Sequence, residues 1–169
     1  MNSDDVVIRL ADLEDIGSIH EVALATWEPT YRAIITQEQI AMMFSDLLSV
    51  EAIGRQIANA EGTYVVAFVD GQPHGFAFFR KSDDEAGVFK LHRLYVRPGT
   101  QGSGIGRSLL HDVERRVAEQ GGRELRLNVN RFNSAQDFYR KQGYQVIQSV
   151  DIPYRQFWLN DYVMKKALR

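Results

Sequence analysis

Three glycines separated by single residues, Gly102, Gly104 and Gly106, follow the apolar stretch that ends at Val96-Arg97-Pro98. Lacking a Cβ, glycine turns the chain through conformations closed to other residues and lets a ligand approach the backbone. The helical pattern that begins at the last of them offers unpaired N–H groups, a ready anion site. The spacing therefore predicts a nest of phosphate size. A dinucleotide fingerprint would need G-x-G-x-x-G directly after the first strand, with an acidic residue about 20 positions on. Here the spacing is G-x-G-x-G and the loop follows the fourth predicted strand. Just ahead of it, period two places Lys90, His92, Leu94 and Val96 on one strand face. An imidazole with an ordinary pKa near ~6.5 suits a base at neutral pH. His20, His74 and His111 show no metal-ligand spacing, and the absence of cysteine removes disulfides, thiolate metal sites and a thiol nucleophile.

The elements that must hold these groups are readable in order. Val6 to Leu10 reads as a strand ending at Asp12, a helix N-cap. Leu13, Ile16, Ile19, Ala23 and Trp27 recur at helical spacing, which predicts a helix to about Thr26, broken by Pro29. Thr36-Gln37-Glu38-Gln39 is a capping-box pattern before Ile40, Met43 and Leu47. Ser49 caps a further short helix ending near Glu61-Gly62. Tyr64 to Val69 and Gly75 to Arg80 form a hairpin about Asp70-Gly71. Val88 to Val96 is the strand that feeds the glycine turn. The helix after it buries Ile105, Leu109, Val113 and Val117 and stops at Gly121-Gly122. Leu125, Leu127 and Val129 alternate with polar residues as in a half-buried strand. Asn133 to Gln142 is a short helix closed by Gly143, and Tyr144 to Ile152 and Phe157 to Met164 are two last strands. This order predicts a mixed sheet with helices on both faces.

At 169 residues, 44% hydrophobic and 25% charged, with no repeat or linker, the chain reads as one domain over 1–169. A net charge of −2 without a basic stripe gives no support to a nucleic-acid surface. No apolar run approaches the roughly 20 residues that span a bilayer, and the acidic start Met1 to Asp5 lacks a signal-peptide pattern. The expectation is a cytoplasmic chain without membrane partners. The sequence neither requires nor excludes a homodimer.

Two motifs together resemble the GNAT superfamily of acyl-CoA-dependent N-acetyltransferases. One is Val96-Arg97-Pro98 followed by Gln101-Gly102-Ser103-Gly104-Ile105-Gly106, similar to the family's loop after its fourth strand. The other runs from Asn133 through Ala135, Phe138 and Tyr139 to Gly143-Tyr144, similar to a later family helix. One helix and one strand separate them, as in the family. The resemblance implies an α/β fold with a mixed, mostly antiparallel sheet of six to seven strands. About four to five helices would flank it, with a V-shaped splay between strands 4 and 5. Acetyl-CoA is the implied co-substrate, with no metal.

By the same resemblance, amides of Gln101, Gly102, Ser103, Gly104, Ile105 and Gly106 would hold the coenzyme pyrophosphate, with Arg107 adding charge. The pantetheine arm would lie along Leu94, Tyr95 and Val96, and the Val96 N–H would polarise the thioester carbonyl. Asn133 and Phe138 would touch the coenzyme, and Asn133 also suits a helix N-cap. Tyr139 takes the general-acid position, with a phenol near ~10 in water. Many relatives carry glutamate where this chain has Lys90, which shifts the base role to His92. Trp27, Glu28 and Tyr31, read as a link between the first two helices, would line the acceptor tunnel with Asn128 at the end of the fifth strand. Tyr154, Phe157 and Trp158 could complete it. Aromatics with one carboxylate suit a cationic amine. The implied reaction is acetyl transfer to a primary amine of a small molecule by direct attack in a ternary complex. A protein N-terminal or lysine acetyltransferase and a non-catalytic acyl-CoA sensor are the alternatives.

Overall fold

A computed structural model describes residues 6–100 and 102–168. The acidic start Met1 to Asp5 and Gln101 of the glycine loop lie outside the described residues. Seven strands, β1 (Val6–Leu10), β2 (Thr63–Val69), β3 (Gln72–Lys81), β4 (Val88–Val96), β5 (Glu124–Asn130), β6 (Gln145–Tyr154) and β7 (Phe157–Ala167), form one sheet in the order β1-β2-β3-β4-β5-β7-β6. Every pairing is antiparallel except β4 with β5. Five helices cover it: α1 (Ile16–Tyr31), α2 (Gln37–Leu48), α3 (Val50–Ala58), α4 (Ile105–Glu119) and α5 (Ala135–Lys141). The fold class expected from the sequence is thus met, with seven strands.

Alternation along the strands builds a core on each face. Val65, Ala67, Ala77, Leu125, Leu127 and Met164 pack with Leu109, Val113 and Val117 of α4. Tyr64, Val66, Phe76 and Phe78 pack on the other face with Ile19, Trp27, Ile40 and Ile53 of α1 to α3. The Asp70-Gly71 turn has positive φ at both residues, as a two-residue hairpin requires. Thr36 and Ser49 cap α2 and α3 through side-chain oxygens that accept from Gln39 N–H and Ala52 N–H, each at 3.1 Å.

Two sequence expectations change. The first helix does not break before Pro29 but runs to Tyr31 with the proline inside it. Proline removes one i→i−4 bond, and here it falls in the last turn, where little helix remains to be lost. Thr30 Oγ1 donates to Thr26 O at 2.6 Å, Arg32 N–H donates to Glu28 O at 2.9 Å, and Trp27 Nε1 is anchored on Ile40 O at 3.0 Å. Trp27, Glu28 and Tyr31 are therefore helical residues of α1, not a link between helices.

The second change concerns β4. Phe79 pairs with Leu91 and Phe78 with Arg93, so His92 is an extra residue, a β-bulge. Strict period two across it fails. Phe89, Leu91, Leu94 and Val96 share the α4 face, whereas Lys90 and Tyr95 share the opposite one. Lys90, His92, Leu94 and Val96 do not form one face.

Candidate active site

The β4–β5 ladder is short. Val88 to Leu91 pair with Glu124 to Leu127, and no pairing continues beyond them. From there β5 follows β7, matching Asn128 with Val163 and Asn130 with Asp161, while the rest of β4 stays on β3. The sheet parts between the second half of β4 and the end of β5. This is the V-shaped opening.

On the α4 side, the loop after β4 delivers the chain to a helix N-terminus. Gly102 and Gly104 have φ of +87° and +89°, and Gly104 is the N-cap of α4. Helix geometry leaves the first-turn amides at Ile105 to Arg107 without intrahelical acceptors, and Arg107 is exposed beside them. Thr100 N–H donates to Arg97 O and Ser103 N–H to Thr100 O, both at 3.2 Å, which fixes the loop. Gly106 plays a different part from the one its spacing implied: it is already helical. A Cβ there would meet Val96 Cγ2 at 3.5 Å and the Phe138 ring at 3.7 Å. Loop, β4 and α5 therefore converge at Gly106. The helix opens at Ile105, one residue earlier than the glycine pattern suggested.

From α5, Tyr139 is 8% exposed and packs edge-on against Phe138 and Tyr144, with ring centroids 5.2 and 5.9 Å away. Burial pushes its phenol above the usual tyrosine range, and the nearby Tyr31 phenol adds to the rise. Asn133 precedes α5, and its Oδ1 accepts from Ala135 N–H at 2.9 Å. The capping role expected for Asn133 is thereby filled from one residue ahead of the N-cap, Ser134.

The opposite face brings in α1. Tyr31 Oη and Tyr95 Oη lie 3.2 Å apart, and Trp27 packs on both rings at 4.5 and 5.9 Å. Desolvation raises the pKa of both phenols, Tyr95 most, and Tyr139 lies within electrostatic range of each. Two phenols, from α1 and β4, thus lie within hydrogen-bond reach near the parted strands, with the Tyr139 phenol of α5 in electrostatic range of both. Asn128 Nδ2 donates to Asp161 Oδ2 at 3.4 Å on this side. Burial raises the Asp161 carboxyl above its ordinary value, against the pull of Asn128, Lys90 and Arg131. Desolvation in turn lowers the Lys90 ammonium. The sequence offered Asp161 only within the ending Asp161 to Lys166, which resembles bacterial members acting on small amines or polyamines, and gave it no place in the site. Its signal was the register that puts it opposite Asn130, which no local pattern reveals.

His92 keeps different company. Its ring packs on Phe78 with centroids 5.9 Å apart. Desolvation, then Lys90, Arg93 and Arg80, pushes its pKa down to about 3, although the side chain keeps solvent contact that tempers the fall. The imidazole is neutral near pH 7. Its contacts do not include the three phenols. Glu28 faces outward, 3.9 Å from Arg32, and lines a shallow hollow of about 300 Å³ with Leu24, Trp27, Ile40 and Phe44. Tyr154 Oη donates to Asp46 at 2.7 Å, and Trp158 is 58% exposed. The predicted acceptor set therefore divides: Tyr31, Trp27 and Asn128 adjoin the opening, while Glu28 and Trp158 turn to solvent. No group of three or more metal-ligating side chains is assembled among the described residues.

Residues 31–167 match the family model described as the acetyltransferase (GNAT) domain. The chain belongs to the GNAT acetyltransferase family. As a GNAT protein it is an acetyl-CoA-dependent acyltransferase. It is 31% identical over 146 residues to a spermidine N(1)-acetyltransferase of Thermoplasma acidophilum, covering 83% of this chain and 89% of that protein. Among solved structures, the PaiA N-acetyltransferase of T. acidophilum, in complex with coenzyme A, superimposes with a TM-score of 0.83. The two chains are 29% identical, and the match covers 96% of this chain and 98% of that one. An aminoglycoside N(6′)-acetyltransferase of Stenotrophomonas maltophilia is 37% identical over 82 residues, 44% of this chain and 54% of that protein. No helix among the described residues is long and apolar enough to cross a membrane.

Proposed function

We propose that this GNAT enzyme transfers the acetyl group of acetyl-CoA to a primary amine of a small cationic molecule, by direct attack within a ternary complex. The observation that carries the reading is the contact of two half-buried phenols, Tyr31 and Tyr95, at the parted β4–β5 strands, with the buried Tyr139 phenol in electrostatic range and the α4 N-terminus on the other side. The named activity of the spermidine N(1)-acetyltransferase relative supports a small amine as acceptor. Acetyl-CoA supplies a thioester carbonyl and a thiol leaving group. The amides of Gln101 to Gly106 and the Arg107 guanidinium bind its pyrophosphate, and Leu94, Tyr95, Val96, Asn133 and Phe138 align its arm. Tyr139, kept protonated by burial, donates to the departing sulfur. Neutral His92, exposed to solvent, takes the proton that the acceptor nitrogen sheds and, because its lowered pKa makes it a weak acceptor, passes it straight on to water.

The test is release of free coenzyme A by the purified chain with acetyl-CoA and a panel of small amines, a peptide N-terminus and a lysyl peptide. The expected result is turnover with small amines and none with peptides. Turnover confined to peptides moves the assignment to protein acetylation, and binding of acetyl-CoA without any turnover leaves a sensor.

A further inference from the structure

A carboxylate shielded from water needs a counter-charge or strong hydrogen bonds, because desolvation penalises its ionised form. Among the described residues, the other buried or half-buried carboxylates each lie in ion-pair reach of an arginine or lysine. Asp15 pairs with Arg9, Glu28 with Arg32, Asp46 with Arg155, Asp112 with Arg115 and Arg116, Glu114 with Lys166, and Glu124 with Arg126. Asp161 has no such partner. Its side chain receives only the long 3.4 Å bond from Asn128 Nδ2.

Its position adds an independent argument. On β7, Met164 and Tyr162 belong to the α4 face, and Leu159 packs with the core under α1 and α2. Alternation puts Asp161 on the α1 side. On β5, Leu125, Leu127 and Val129 are on the α4 face, so Asn128 and Asn130 are on the α1 side with it. Asp161 pairs with Asn130, at the end of β5 where the sheet has parted. Tyr31 from α1 and Lys90 from β4 are within its electrostatic reach. The donor loop stands across the sheet, on the α4 face. This carboxylate faces the side left for the acceptor.

The chemistry limits what it can hold there. A nitrogen must be neutral to attack a carbonyl, so the reacting amine carries no lasting charge for a carboxylate to bind. A second ammonium on the same molecule keeps its charge throughout. We infer that Asp161, steered by Asn128, binds a non-reacting ammonium of the acceptor and thereby selects linear diamines and polyamines over monoamines. This rests on the acetyltransferase reading above. Tyr31 and Tyr95 flank that ammonium with aromatic surface, which reinforces a preference for cations.

The test compares acetylation of 1,4-diaminobutane and spermidine with that of n-butylamine, for the full chain and for Asp161→Asn. A charge-assisted contact of this kind carries about tenfold or more in affinity. The wild-type protein is expected to favour the two polyamines by about that factor in kcat/KM. Asp161→Asn should raise the polyamine KM about tenfold, leaving kcat, the n-butylamine KM and the acetyl-CoA KM unchanged. An unchanged polyamine-to-monoamine ratio overturns the inference and leaves the acetyltransferase reading intact. Absence of transfer to every amine overturns both. Should Asp161→Asn not fold, the wild-type ratio is followed against pH. Asp161 faces Lys90, Arg131, Tyr31 and Asn128, and its raised pKa means that it neutralises as pH falls, before an ordinary aspartate would. The polyamine advantage should then shrink on the acid side. A ratio independent of pH overturns the inference.

Discussion

Removing the phenolic oxygen of Tyr139 while keeping its ring separates chemistry from packing, because the ring contacts to Phe138 and Tyr144 survive in Tyr139→Phe. Turnover is expected to fall about tenfold or more, with acetyl-CoA affinity changed little, as read by initial rates beside equilibrium binding. Unchanged turnover would take the phenol out of the reaction. His92 makes a different forecast. Its depressed pKa keeps it neutral throughout the neutral range, so its loss should not merely move an acid limb. His92→Gln should lower the rate about tenfold or more at every pH in that range. A superimposable pH–rate profile would leave the bulge histidine a structural residue. Of the candidate site, the donor half was legible as residue types because it is contiguous: a glycine run, then a Phe-Tyr pair on one helix. The acceptor half was not. Asp161 meets Asn128 across 33 residues and Tyr31 meets Tyr95 across 64, distances over which spacing is silent.

Among the elements, the glycine turn into α4 can be dissected because its glycines do different work. Gly104 caps the helix at φ +89°, a conformation that costs an L-residue roughly 1–2 kcal/mol. Gly106 is helical and has ordinary contact distance around it. Gly104→Ala is expected to lower stability by about 1 kcal/mol and weaken acetyl-CoA binding. Gly106→Ala should instead hold or raise stability by a few tenths to about 1 kcal/mol, since alanine favours helix. Paired denaturation curves decide; equal effects would mean that the spacing acts as one unit. The helix through Pro29 shows why the pattern misled there. A proline stops a helix that has turns still to form, and α1 had one turn left, held by Thr30 and by the Trp27 anchor.

For the molecule as a whole, one ion pair, between exposed Arg9 and buried Asp15, ties strand β1 to the start of the helical layer. Asp15 is 5% exposed and accepts from Arg9 Nη1 and Nη2 at 2.8 and 2.9 Å and from Asp12 N–H at 2.9 Å. The Arg9 bonds hold its carboxyl below the ordinary aspartate value. A group lowered on folding adds stability above its unfolded pKa, near ~3.9, and loses it as pH falls through the folded value. Asp15→Asn should therefore cost about 1–3 kcal/mol at neutral pH, and the gap from the wild type should narrow in acid. A gap constant with pH would assign the loss to packing. The two cores on either face were largely visible in the alternation of β2 and β5, but the phase of β4 was not, because His92 is one residue too many. That single residue acts as a frameshift within a strand: upstream, odd numbers look toward α4, and downstream, even numbers do. Deleting His92 would restore the regular count without changing a single β3 partner, since Phe79 already faces Leu91 and Phe78 already faces Arg93. Leu94 and Val96 would stay on the α4 face and Tyr95 on the side of Tyr31. Removing a residue of β4 beyond Leu94 would instead turn those after it to the opposite face.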